Sequence, residues 1–177
     1  YTTDGLLTGL TNPRGQTSHY SFDSAGRLSS AADPTGATKT LVHSGTNDDY
    51  MVTMTTSLGR TTTYHVEELD SGDVRLTGTD PAGAQNQALI GNDGIQTATF
   101  ADGTIVKTVL APDPRWGMLA PVAKNAVLTT PGGLTRTVTT VRSATLSVPN
   151  DVLSLVNLTD TFTDNGAVST RVYSNNG

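Results

Sequence analysis

Cysteine is absent from this 177-residue chain. That excludes a disulfide framework, a thiolate nucleophile and a zinc–cysteine site. Aromatic residues make up 5 % of the chain and hydrophobic residues 35 %. So little apolar material favours a sheet with one wetted face over two tightly packed layers. Basic residues are scattered, 11 against 16 acidic ones, for a net charge of −5. No nucleic-acid partner is expected, because phosphate tracking needs clustered Lys and Arg. No stretch approaches the ~18 consecutive apolar residues of a membrane span. A charged-then-apolar leader and an initiator Met are both missing from the start of the sequence, and the expectation is an excised piece of something longer.

What the chain does have is threonine, 32 residues, with 15 valines against 3 isoleucines, and 18 glycines to punctuate them. Thr and Val suit a pleated, half-buried surface, whereas helices favour Ala, Leu, Glu and Lys. A turn signature recurs at a near-constant interval. Asn12-Pro13-Arg14-Gly15 returns as Asp33-Pro34-Thr35-Gly36, weakens to Ser57-Leu58-Gly59, and is clean again at Asp80-Pro81-Ala82-Gly83. Its glycines lie 21, 23 and 24 residues apart, the mark of one supersecondary unit stacked on copies of itself. Asx at the first position accepts a backbone hydrogen bond, Pro at the second pre-sets φ, and Gly at the fourth takes a positive φ. A second turn, Phe22-Asp23-Ser24-Ala25-Gly26, alternates with the first, so one repeat is a hairpin. Tyr173 to Gly177 restates the opening Tyr1-x-x-x-Gly5.

The fold expected is all-β, repeated antiparallel hairpins forming a curved strip. Three segments are read: hairpin repeats over 1–110, a Pro/Trp loop over 111–121, and longer hairpins over 122–177 that continue the same sheet. Turns are expected at 12–15, 23–26, 33–36, 80–83, 102–103 (Asp102-Gly103) and 164–166. His43 to Asp49 reads as a polar loop, and Phe100 falls in the strand framed by Asn92-Asp93-Gly94 and Asp102-Gly103. Pro112, Pro114 and Pro121 cannot donate to a ladder, which makes 111–121 a loop or strand crossing.

Chemistry is sparse. His19, His43 and His65 sit at repeat-like spacings where they could share a side, but the bland reading is three sheet histidines. Asp48-Asp49 and Glu67-Glu68 offer carboxylates for glycoside hydrolysis, yet adjacent strand residues point to opposite faces, so neither pair makes a site by itself. Asp70-Ser71-Gly72-Asp73 and Asn92-Asp93-Gly94 could offer oxygens to Ca²⁺ but lack EF-hand spacing, and turn chemistry accounts for both. No catalytic residue, metal or cofactor is assigned, and no enzyme is expected. Trp116 is a candidate surface-binding platform, with an anchor that pins its loop to the sheet as the favoured reading.

The alternation Phe22-Asp23-x-x-Gly26-Arg27-Leu28 with Asp33-Pro34-x-Gly36 resembles the YD repeat of the Rhs family. Asp113-Pro114-Arg115-Trp116-Gly117-Met118, Pro121 and Thr130-Pro131-Gly132-Gly133 resemble segments found between such repeats. The resemblance implies hairpins spiralling into a hollow shell, as in bacterial polymorphic toxins, insecticidal toxin complexes and teneurins. It further implies a non-catalytic wall around a C-terminal toxin or other cargo, in a large secreted or cell-surface protein. The partners implied are the rest of that shell and its cargo. An adhesin-like module that binds carbohydrate or a cell surface is the alternative. Autoproteolytic members end their core in Asp-Pro-x-Gly-Leu, whereas Gly36 and Gly83 are each followed by Ala, so no protease residue carries over.

Two structural expectations follow. Strand edges left bare invite pairing with further shell or with another chain. Asn165-Gly166, as the centre of a type I′ turn, sets Asp160 opposite Arg171 and Phe162 opposite Ser169. On that register Asp160–Arg171 is an ion pair, and the Thr/Val face is the drier one because charges are costly to bury.

Overall fold

The computed structural model describes residues 1–174. Fourteen strands run in chain order, each hydrogen-bonded to its sequence neighbours, with no helix among the described residues. They are β1 (Gly9–Thr11), β2 (Thr17–Phe22), β3 (Leu28–Ala32), β4 (Thr38–Gly45), β5 (Asp49–Thr56), β6 (Thr61–Glu68) and β7 (Val74–Thr79). The remainder are β8 (Gln85–Ile90), β9 (Ile95–Thr99), β10 (Ile105–Asp113), β11 (Gly117–Thr129), β12 (Thr135–Leu146), β13 (Leu155–Asp164) and β14 (Ala167–Ser174). Two compact units divide the chain: Tyr1–Glu68 with Arg75–Asn86, and Leu69–Val74 with the chain from Gln87 onward.

One turn design joins most strands. At Asp33 the backbone N–H donates to the Ala37 carbonyl (2.9 Å), the Gly36 N–H donates to the Asp33 carbonyl (3.0 Å), and Gly36 sits at φ +87°. That is a three-residue hairpin loop closed by a left-handed glycine. The same backbone bonds, with glycine three residues on, occur at Thr2, Asn12, Asp23, Thr56, Leu69, Asp80, Gly91, Phe100 and Thr130. Asx is therefore the commonest signal for this turn but not a requirement. Thr2, Thr56 and Thr130 instead accept the closing N–H on their own hydroxyls, at 2.9 to 3.2 Å.

Three expectations need correcting. His43 is not in a loop, because β4 runs to Gly45 and β5 starts at Asp49; His43 pairs with Val52 and its ring stacks on Tyr50 at 5.0 Å. Phe100 opens a turn rather than filling a strand. The Pro/Trp segment is a hairpin tip and not a long loop. β10 passes through Pro112 to Asp113, β11 starts at Gly117 and carries Pro121, and the register shift at Ala111/Asp113 leaves both prolines out of the ladder.

The Asn165-Gly166 turn has φ of 45° and 92°. Asp164 faces Ala167, Phe162 faces Ser169, Asp160 faces Arg171 and Leu158 faces Tyr173, in the expected register. The expected burial is reversed. Val141 and Val168 on the Thr/Val face are each 67 % exposed, while Asp160 on the other face is 3 % exposed. No hydrophobic side chain is fully buried among the described residues; the buried polar ones are Asp113 and Asp160.

Candidate functional site

Each turn Asx works as a local clamp. Asn12 Oδ1 accepts the N–H of Arg14 and Gln16 at 2.9 and 3.1 Å, and the turn is completed by Pro13 and by Gly15 at φ +79°. Asp80, followed by Pro81 and Gly83, does the same for Ala82 and Ala84. Asp33, followed by Pro34, accepts from Thr35 N, Ala37 N and the Thr35 hydroxyl. Its carboxyl is lowered from the usual range chiefly by that hydroxyl. Asp23 holds Ala25 N and Arg27 N ahead of Gly26 and is lowered first by the Arg27 backbone bond, then by the Arg27 guanidinium at 2.8 Å. Asp102, before Gly103, accepts from Thr104 N and its hydroxyl and is lowered in the same way. Asn165, beside Gly166, reaches further, since its Oδ1 accepts the Thr137 N–H of β12 at 2.9 Å. These residues hold backbone donors and present no reactive group.

The driest polar cluster lies in the second unit. Arg142 of β12 donates from Nε and Nη2 to both Asp160 oxygens (2.7 and 2.8 Å), and from Nη1 to Asp113 Oδ2 at 3.3 Å. Asp113 also accepts from Arg115 N and Trp116 N, so it ties the β10–β11 tip to β12 and β13. The Arg142 hydrogen bonds hold the Asp160 carboxyl low, and Arg142 itself is raised above its usual value, first by Asp160. Burial pushes Asp113 up; the Arg115 and Trp116 N–H bonds and Arg142 outweigh it, leaving it lowered. The expected Asp160–Arg171 ion pair does not form. Asp160 takes the bidentate partner on its other flank, and Arg171 lies 5.4 Å over the Phe162 ring.

Trp116 caps the same tip. Its backbone is pinned by Asp113, while the residue is 38 % exposed, with the Arg115 guanidinium 5.7 Å over its ring. The main chain at Trp116 is thereby tied to Asp113.

Residues weighed for catalysis are only partly brought together. His43 faces Val52 and so Tyr64, whereas His65, next to Tyr64, points to the opposite side. Asp49 and Glu67, one from each carboxylate pair, stand directly opposite across β5–β6. His65 Nε2 lies 2.6 Å from Asp49 Oδ1, and Arg75 Nη1 lies 2.8 Å from Glu67 Oε2. Each acid is thus matched to its own basic partner on a partly exposed sheet face. Only the strand register reveals this juxtaposition, because the four residues are separated in sequence. The turns considered for Ca²⁺ also meet: the Asn92 backbone N–H donates to Asp73 Oδ1 (3.0 Å) and its side-chain amide to the Ser71 carbonyl (2.6 Å). No cluster of three metal-ligating side chains occurs among the described residues.

Residues 1–38 match the family model described as RHS Repeat. No curated protein matches the chain. The matched segment contains the turns at 12–15, 23–26 and 33–36, and the RHS repeat is a structural repeat.

Proposed function

Taking residues 1–38 as an RHS repeat, we propose that this chain is a non-catalytic segment of a β-shell that encloses a toxin or other cargo in a large secreted or surface-delivered protein. The observation that carries the reading is the continuity of one turn design. The bonds that close the matched turns at 12–15, 23–26 and 33–36 recur at 56–60, 69–73, 80–84, 91–95, 100–104 and 130–134. Repeats of this kind bury surface against sequence neighbours and extend indefinitely, which suits a wall. The partners proposed are the remainder of the shell and its enclosed cargo.

The test is limited proteolysis of the full-length parent protein. A cargo within a shell resists a protease that cleaves the same domain expressed alone, and becomes sensitive when Arg142→Met loosens the wall. Equal cleavage of free and parent-borne cargo would refute enclosure.

The exposed Trp116 favours a second reading, a carbohydrate- or cell-surface-binding module. Saturable glycan binding lost in Trp116→Ala would establish it, and a glycan array without signal would remove it.

A further inference from the structure

One row of the first unit runs Tyr20–Ala31–Lys39–Thr56, each residue directly opposite the next across β2 to β5. Directly opposed residues share a face, so the Tyr20 ring, the Ala31 methyl and the Lys39 side chain all project to the same side. They line an open groove of about 420 Å³, to which Leu58 and Arg60 of the β5–β6 turn also contribute. Arg60 N donates to Thr56 Oγ1, which brings Arg60 back beside the residue that faces Lys39.

The volume lies within the ~300–1,000 Å³ of small-ligand sites. Its floor is alanine, bounded by Tyr20 and by Leu58, which is 80 % exposed. Lys39 and Arg60 make no ion pair with a carboxylate among the described residues. The one acid in the lining, Asp33, turns its Oδ1 to Thr35 N, the Thr35 hydroxyl and Ala37 N and stays ionised, so the lining sets two cations against one anion. Two unpaired cations over an apolar floor are thus left in a chain of net charge −5.

We propose that this groove binds a small amphipathic carboxylate. The carboxylate lies between Lys39 and Arg60, and an apolar or aromatic body lies on Ala31 between Tyr20 and Leu58. The two cations select the charge. The floor separates such a ligand from an inorganic anion, which gains nothing from apolar contact. The site is independent of the wall reading, because it needs only the first unit.

The test is an NMR titration of the ¹⁵N-labelled 177-residue chain with 4-phenylbutyrate, its neutral amide 4-phenylbutyramide, and inorganic phosphate. Saturable shifts are expected for phenylbutyrate at Tyr20, Ala31, Lys39 and residues 56–60. The amide should bind roughly fivefold more weakly, and phosphate should give no saturable shift. Lys39→Gln with Arg60→Gln should weaken phenylbutyrate roughly tenfold, and Ala31→Leu, which fills the floor, should abolish binding. An absence of saturation, an amide that binds as tightly as the acid, or phosphate that binds as tightly as phenylbutyrate would overturn the proposal. If Ala31→Leu fails to fold, the double charge variant decides alone, and unchanged affinity there is refutation.

Discussion

Removing Arg142 would leave Asp113 and Asp160 buried together without their shared cation. Breaking a buried pair from one side is costly, so Arg142→Met should lose ~3 kcal/mol in urea unfolding at neutral pH. Replacing Asp160 by Leu as well should recover part of that loss. The hydrogen-bonded and ion-paired carboxylates make a separate prediction. Asp23, Asp33, Asp102, Asp113, Asp160 and Asp164 all have lowered pKa values in the fold. A lowered folded pKa gives stability that is complete above the unfolded value of ~3.9 and is lost as pH falls through the folded one. Urea midpoints should therefore hold level to about pH 5 and fall progressively below it. Asp33→Asn keeps the Oδ1 acceptor, as Asn12 does naturally, and should make the acid fall shallower without moving the neutral midpoint. Gly83 has open space around its Cβ position but φ of +87°, so Gly83→Ala should cost ~1 kcal/mol through backbone strain alone.

At the scale of the hairpin, the Asx-Pro-x-Gly turns were legible because each position has one physical job. The turns opened by Thr2, Leu69, Phe100 and Thr130 were legible from the glycine three residues on and the Asp or Pro-Gly beside it, although their first residue contributes only backbone or a hydroxyl. The Asn165-Gly166 register was legible down to single partners, because a two-residue loop leaves no freedom. Cysteines at Thr161 and Thr170, which face each other, should cross-link on oxidation, whereas Thr161 with Arg171, on opposite faces, should not. Mass spectrometry of the oxidised variants reads the difference. Which face is dry could not be read from sequence. The rule that charges stay wet fails where Arg142 answers both carboxylates, and Asp113 reaches Arg142 across 29 residues through the bulged β10–β11 tip. The same non-local geometry hid the Asp49–His65 and Glu67–Arg75 pairs.

For the whole molecule, stability accumulates from ladders and turn clamps and not from an apolar core, which is absent among the described residues. Such a chain gains by adding hairpins, as the proposed wall would require. β1 and β14 each have one strand neighbour, and in a shell both would acquire a second. The direct measurement is electron cryomicroscopy of the full-length parent protein. The account predicts residues 1–174 as consecutive hairpins in a wall, β1 and β14 continued by further strands, and separate density enclosed by it. A free-standing arm with bare edges, or a wall with nothing inside, would contradict it.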